Sequence, residues 1–525
     1  MHFRCGPLRE IDVIGDFEFS FSNTASGGIR PNWNGVWRRY DQPGRSQFSK
    51  PFPHFCLPGF FTSKEFVADL RSELKMVRYD RKESDLYSLN QTVDLSNFDA
   101  IKFPSLTKFR QTDVLHWLRN VSGVDLNAEV AISSSNYNYT DLLLPHDDQC
   151  EGRKFAFTLY LTPNWKETDG GQLLLYDCDD NNNPISVAQI MNPTENMLII
   201  FEVSPRSWHM VTEVLSQKER LSLHGWFHHT ACNVSDELKL SSLEGKLKSY
   251  MNVTYKEVLE WINPEYIDPL QQSKIQSIFE ENSEIILFDF IRENKFESAL
   301  HELDSACFED IGPLNKRKLE RLQENALLLD SSLLSLLRLV RSQAMTLLLS
   351  QWTGLPVHYV DDCSNTKKKK VDENEKCVTF YDGIECCSSV YRIGKSSYTM
   401  VDDEVVGETE QLGCCLDFNL FLFTNEWDDE HGGFVSYFTR DEEEELLRVS
   451  PVRNSAALVF REPGVCPFVK YVNCKAGDRH YYMISCSFYG FSLDDSSTGN
   501  NEESVESSYQ VEEDGKAGPS HCRKF

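Results

Sequence analysis

Residues 154–177 read KFAFTLYLTPNWKETDGGQLLLYD, two β-rich runs either side of a turn that holds Pro163, Asn164 and the pair Gly170-Gly171. Runs of the same kind recur from about 128 to 229, in AEVAISSSNYNY, NMLIIFEV and ERLSLHGWFHH, with turn residues between them. That succession of short strands is the signature of an all-β sandwich or barrel. Upstream, SKEFVADLRSELKMV and FRQTDVLHWLRNVSG space their apolar residues as helices do, and the second stops at Gly123. Helices packed against one β unit are the resulting picture.

The same order returns after residue 235. KIQSIFEENSEIILFDFIREN and the Leu-rich stretch 327–352 are helical in pattern, and TGLPVHYV, CLDFNLFLFTNEW, GGFVSYFTR, SAALVFRE and YYMISCSFYGF follow as strands. TPNWKETDGG (162–171) faces TNEWDDEHGG (424–433) with Thr, Trp and Gly-Gly at identical spacing, and NVSGV (120–124) faces QWTGL (351–355). A repeat at this scale means a duplicated domain. The fold class is mainly β with flanking helices (α+β). The expected organisation is an N-terminal extension over 1–45, a catalytic domain over 46–235, a second domain over 236–492 with a mobile polar loop at 361–376, and a disordered acidic tail over 493–525.

With 525 residues the chain exceeds one core, and 53 basic against 81 acidic residues leave a net charge of −28. Such a charge repels nucleic-acid phosphates and attracts basic proteins. The Leu-rich stretch carries Asp330, Arg338 and Arg341, which disfavours a membrane span, and no apolar run follows the N-terminus. Sixteen cysteines without a Cys-x-x-Cys spacing point to reduced thiols, hence cytoplasm or nucleus. The run Lys367–Lys370 has the composition of an import signal but alternates with acids.

Within the first domain, LPHDDQ (144–149) lies in what reads as a strand. Alternation puts His146 and Asp148 on one face and Asp147 on the other. A His-x-Asp pair alone is a weak signal, but a late strand pair brings His209, and Arg220 opens the following strand. Two imidazoles and a carboxylate leave coordination positions open, as in non-haem Fe(II) oxygenases. A zinc hydrolase stays open too, although no acid stands beside the triad as a general base. Arg220 suits a co-substrate carboxylate, the plain alternative being a salt bridge to Glu213 or Glu219. Ser222 shares its face and could add a hydroxyl donor; His224 shares it as well.

Three segments, HDDQCEGRKFAFTLYLTPNW (146–165), FEVSPRSWHMVTEVL (201–215) and RLSLHGWFHH (220–229), resemble the 2-oxoglutarate and iron-dependent oxygenase domain-containing proteins of the prolyl 3-hydroxylase type. The likeness extends to EWINPEYID (260–268), GPLNKR (312–317) and EEELLRVSP (443–451), and so covers most of the chain. It implies tandem double-stranded β-helix (jelly-roll, cupin-like) domains, with Fe(II) held by His146, Asp148 and His209 of the first. It further implies that Arg220 grips the distal carboxylate of 2-oxoglutarate with help from Tyr160, that Tyr137 lines the same pocket, that O2 is the other co-substrate and L-ascorbate the reductant. The family reaction hydroxylates one prolyl residue of the small-subunit ribosomal protein at the decoding centre, with consequences for translation accuracy and termination. A basic ribosomal protein agrees with the net charge.

In the second copy, aligned on TNEWDDEHGG, Tyr160 maps to Leu422, His209 falls near Pro467 and Arg220 near Tyr481, while no histidine occurs from 359 to 430. Asp402 and Asp403 have no partners to complete a triad, so this copy is expected to hold no metal and to serve as a docking or stiffening module. The competing functional reading is an acidic scaffold that binds basic ribosomal or translation partners around a vestigial metal site. A nucleic-acid repair oxygenase would share the triad but should carry a basic groove with stacking aromatics.

Overall fold

The computed structural model describes residues 46–48, 50–96, 98–99, 101–110, 114–150, 152–229, 247–248, 252–358, 385–401, 413–439 and 445–491. The N-terminal extension, the loop with Lys367–Lys370, Asp402, Asp403 and the acidic tail lie outside the described residues. The described chain forms two compact units, one up to residue 229 and one from 247 on, Pro313–Asn315 apart.

In the first unit, helices α1 (Lys64–Lys75), α2 (Pro104–Arg110) and α3 (Val114–Ser122) accompany twelve strands. These are β1 (Ser46–Phe48), β2 (His54–Pro58), β3 (Asp80–Glu83), β4 (Tyr87–Gln91), β5 (Leu126–Tyr137), β6 (Leu142–His146), β7 (Arg153–Tyr160), β8 (Leu173–Cys178), β9 (Pro184–Met191), β10 (Met197–Glu202), β11 (His209–Val211) and β12 (Arg220–His229). They pair in the order β1-β2-β10-β7-β12-β5-β4-β6-β11-β8-β9, with β3 beside β4, as one curled antiparallel sheet. Strand β7 shows why the sheet curls. Phe155, Phe157 and Leu159 pack under the helices with Leu70, Leu106, Phe109 and Leu118. The intervening Ala156 and Tyr160 point the other way and meet Leu173, Leu175 and Met191 of the opposing layer. Both faces of β7 are therefore buried, and the double-stranded β-helix holds its pocket between the two layers.

In the second unit, helices α4 (Tyr255–Trp261), α5 (Pro269–Asn282), α6 (Glu293–Ser305), α7 (Ser332–Val340) and α8 (Gln343–Thr353) accompany β13 (Leu247–Lys248), β14 (Glu284–Leu287), β15 (Phe308–Ile311), β16 (Arg317–Leu322), β17 (Glu385–Gly394) and β18 (Tyr398–Thr399). The remaining strands are β19 (Cys414–Leu422), β20 (Val435–Thr439), β21 (Glu445–Val449), β22 (Ser455–Arg461), β23 (Val465–Val469) and β24 (His480–Phe491). The order β14-β22-β19-β24-β17-β16-β15 repeats β2-β10-β7-β12-β5-β4-β3 of the first unit, and β21-β20-β23 repeats β9-β8-β11.

The two units are also locked by the same local devices. Trp165 Nε1 donates to Gly170 O at 2.9 Å, and Trp427 Nε1 donates to Gly432 O at 2.9 Å. Left-handed Asn196 brackets the backbone of Phe61, as left-handed Asn454 brackets Ile291. A carboxylate from the preceding helix caps the next one in each: Glu73 accepts from Ser105 N and Leu106 N, and Glu302 from Ser332 N and Leu333 N. Two free N–H groups at a helix start attract a carboxylate, so the same placement recurs.

Two expectations fail. EIILFDF does not continue a helix, because Ser283 takes a left-handed φ of 60° that ends α5, and the β-branched Ile285 and Ile286 then extend as β14 on the edge of the sheet. TGLPVHYV is not a strand over its described part. Thr353 closes α8, Gly354 caps it at φ 73°, and Pro356 offers no N–H to a ladder. The Leu-rich stretch forms the pair α7 and α8, and Arg341 within it, buried, pairs with Glu324 at 2.7 Å. Among the described residues no helix is long and apolar enough to cross a membrane.

Inside the second barrel, Asp417 and Arg461 are both buried and meet at 2.7 Å, with Ser487 Oγ donating to Asp417 at 2.7 Å. Asp417→Ala leaves a buried guanidinium without its charge partner and should cost about 3–5 kcal/mol. Ser487→Ala should cost about 1 kcal/mol, and urea unfolding of the two variants measures the contrast.

Candidate active site

The site is assembled where β11 lies beside β6. His209 opposes His146 across that pair and Leu175 of β8 on its other side. Strand β6 ends at His146, and the chain turns at once, with Asp148 at a φ of 61°. Strand alternation is therefore not what separates the two acids. Gln149 N and Nε2 both donate to the Asp147 carboxylate, at 3.0 and 2.7 Å, and Ser207 Oγ donates to Asp147 O at 2.8 Å. These bonds hold Asp147 in an outward turn and leave Asp148, whose side chain is 7% exposed, facing the histidines.

His146 Nε2 lies 3.6 Å from Asp148 Oδ1, and His209 Nε2 lies 3.6 Å from Asp148 Oδ2. The potential ligand atoms of the three residues all fall within 4.8 Å of one another. His146 Nδ1 meets Leu144 O at 2.9 Å and His209 Nδ1 meets Ser207 O at 2.8 Å. A carbonyl accepts only from a protonated ring nitrogen, so each Nε2 lone pair is turned to the common centre. Burial pushes the Asp148 carboxyl up, but His209, His146 and Arg153 outweigh it and hold the group below its usual range. Burial, then the His146 imidazole, pushes His209 down to about 4. A carboxylate beside the neutral His209 imidazole is the protonation state that metal ligation requires.

Arg220 enters the same pocket from β12 and is 1% exposed. Among the described residues no carboxylate pairs with it: Glu219 goes to Lys75 at 2.9 Å, and Arg220 Nε donates to Gly171 O at 2.7 Å. Its guanidinium lies 4.8 Å from the Tyr137 ring centre and 5.1 Å from that of Tyr160. The Tyr160 hydroxyl is buried without a hydrogen-bond partner, and burial pushes its pKa up to about 12, so it stays a neutral donor. A buried cation and an orphaned hydroxyl fit a small carboxylate. Tyr137, Tyr160 and Ser222 line this pocket together with the triad and Arg220.

A profile described as the 2OG-Fe(II) oxygenase superfamily matches residues 132–228, and one described as the oxoglutarate and iron-dependent oxygenase degradation C-terminal domain matches residues 254–496. The chain is 37% identical to prolyl 3-hydroxylase OGFOD1 of Xenopus laevis over 82% of this chain and 85% of that one. It is 33% identical to prolyl 3-hydroxylase OGFOD1 of Mus musculus, over 84% and 88%, and 29% identical to prolyl 3-hydroxylase sudestada1 of Drosophila melanogaster, over 85% of each. The chain belongs to the prolyl 3-hydroxylase family of 2-oxoglutarate and iron-dependent oxygenases.

Around the pocket of this oxygenase, Arg153 and Gln91 carry no sequence signal strong enough to single them out, whereas His224 shares the face of Arg220 by strand alternation. Arg153 stacks on Trp226 with its guanidinium 3.7 Å from the ring centre and comes within 3.9 Å of Asp148. His224 Nε2 meets Gln91 Nε2 at 3.0 Å, and burial pushes the histidine down to about 4. Gly171 was legible only as half of a repeated Gly-Gly. It sits at a φ of 63°, and a Cβ there would come within 2.7 Å of Arg220 Cδ, so the missing side chain is what lets the guanidinium pass.

In the second unit the same positions are filled differently. Arg220 pairs with Tyr137 and Ser222 with Tyr160, while Tyr481 pairs with Ile393 and Met483 with Phe421. Tyr160 thus corresponds to Phe421 and not to Leu422, because one more residue separates strand from tryptophan in the second copy. Tyr481 stands where Arg220 does and donates to Gly433 O, as Arg220 donates to Gly171 O. Pro467 opposes Tyr437 on β20, as His209 opposes Leu175 on β8.

Two outcomes test this geometry. His146→Ala or Asp148→Ala should cut substrate-dependent succinate release by more than about 100-fold, while Asp147→Ala, which alters only the outer turn, should keep most of it. Gly171→Ala should raise the KM for 2-oxoglutarate about tenfold with kcat little changed, since displacing one charge-assisted contact is worth about 1.4 kcal/mol; steady-state titration of the co-substrate reads this.

Proposed function

We propose that this oxygenase carries out prolyl 3-hydroxylation on the small-subunit ribosomal protein at the decoding centre, with His146, Asp148 and His209 as the Fe(II) ligands and L-ascorbate as the reductant. The observation that carries the reading is the buried, unpaired Arg220 in the same pocket as a two-histidine, one-carboxylate cluster. Fe(II) bound there supplies oxygen activation coupled to decarboxylation of 2-oxoglutarate to succinate and CO2.

The rest belongs to the chain's own residues. Arg220, steadied by Gly171 O, holds the distal carboxylate of the co-acid as a bidentate fork, and the Tyr160 hydroxyl donates to it. The Tyr137 and Tyr160 rings wall the guanidinium and exclude water that would weaken that contact. Ser222, opposite Tyr160 across the strand pair, offers a further hydroxyl to the same anion. Arg153 and Trp226 stack at the Asp148 end of the pocket and hold its wall in place. The net charge of −28 favours capture of a strongly basic protein, and the relatives named prolyl 3-hydroxylase support the reaction class. Cytoplasm and nucleus are the compartments in which ribosomal proteins are made and assembled.

Mass spectrometry of small-subunit ribosomal proteins from cells with and without the enzyme should show one protein gaining a single oxygen at a proline. No such gain on any of them would overturn the substrate, even with 2-oxoglutarate turnover intact.

A further inference from the structure

Strand β9 is the outermost strand of its sheet, and among the described residues it pairs with β8 alone. An edge strand exposes a row of unpaired N–H and C=O groups, and proteins usually guard such an edge with charged side chains. β9 reads PISVAQIM, without one charge, and Ile185, Val187 and Ile190 are 57, 45 and 62% exposed. The duplication supplies an internal comparison. β21 holds the same place in the second unit, reads ELLRV, and carries Glu445 and Arg448 paired at 2.7 Å. Of these two equivalent edges, only β9, in the copy that contains the His-Asp-His cluster, lacks a charged side chain.

Register ties that edge to the site. Gln189 opposes Leu175, Leu175 opposes His209, and His209 opposes His146. A strand laid outside β9 would run level with the histidines at three strand spacings, roughly 15 Å from His209, the reach of four or five extended residues. At one end of the edge lie Asp177, near the end of β8, and Asp179 and Asp180 of the turn that leads into β9. Asp177 and Asp180 are exposed. Apolar side chains along the strand and acids at its end complement an extended segment that is itself apolar with flanking Lys or Arg.

We propose that β9 docks an extended segment of the basic polypeptide substrate by strand addition, beside the prolyl residue that enters the pocket. This rests on the reading that the substrate is a basic protein. The docked main chain pairs with the free edge of β9, its side chains cover Ile185, Val187 and Ile190, and its cations lie by the acidic turn. Affinity for the whole protein then exceeds affinity for the reacting proline alone.

The test uses the full chain with Val187→Lys and Ile190→Lys together, both exposed positions outside the pocket. Binding of the full-length ribosomal protein of the decoding centre, by fluorescence anisotropy, should weaken about tenfold, the size of one lost interface anchor. The KM for a peptide of about seven residues centred on the proline, too short to reach β9, should not move, and neither should 2-oxoglutarate binding with Mn(II). Unchanged affinity for the whole protein would overturn the docking edge, and so would an equal loss for the short peptide. Sedimentation showing a wild-type dimer that the variant breaks would assign β9 to a second copy and overturn it too. A protein that binds through β9 yet gains no oxygen would overturn the substrate reading and leave the edge standing.

Discussion

A guanidinium buried to 1% exposure with no carboxylate at hand is the constraint on which the first unit turns. Taking a cation out of water costs several kcal/mol unless something replaces the water. Here the replacement is partial: one backbone carbonyl, from Gly171, and the faces of two tyrosines. Each fixes something else. The carbonyl can reach because Gly171 has no side chain and takes a left-handed φ; the tyrosines must come from the two strands that flank β12, which places Tyr137 on β5 and Tyr160 on β7. What is left uncompensated is a standing attraction for an anion, and the three-donor cluster shares the pocket with it.

The second unit shows the same scaffold with that constraint removed. Tyr481 replaces the arginine, Phe421 and Ile393 replace the tyrosines, and all three join an apolar cluster with Val469 and Val472. Proline stands at the position of the second histidine. Further along the barrel the polar character moves to Asp417 and Arg461, which satisfy each other. Strand order, the tryptophan that closes the Gly-Gly turn, the asparagine bracket and the carboxylate cap are common to both, so the architecture does not depend on the pocket. A jelly roll needs its two layers to bury something between them. In one copy that is partly a binding pocket; in the other it is packed side chains.

Much of this was legible before folding. Strands β5, β7, β8, β10 and β12 stand out because β-branched and aromatic residues cluster between turn residues, and the repeat of Thr, Trp and Gly-Gly exposes the duplication without any other sequence. His146, Asp148, His209 and Arg220 are legible as residue types that are costly on buried strands. Less visible was β14, which follows a helix of similar composition and separates from it only through the left-handed turn at Ser283. Short edge strands such as β9, with neither alternation nor charge, also carry little signal. Arg153 and Gln91 look like ordinary surface residues until the sheet curls over them.

The sequence by itself determined the succession of the main strands along the chain, the double use of one fold and the residue types available for chemistry, because these follow from local pattern, turn chemistry and spacing. Which acid faces the histidines was decided by tertiary structure. Strand alternation predicts Asp148 inward, and Asp148 is inward, yet the cause is a left-handed turn pinned by Gln149 and by Ser207, a residue sixty positions away. The same holds for Arg220. Its chain position marks only the start of a strand, and its character as a buried unpaired cation arises when β12 is drawn between β5 and β7 and the Gly171 carbonyl closes over it. Burial and the absence of a partner are properties of an environment, and the environment exists only once distant segments have met.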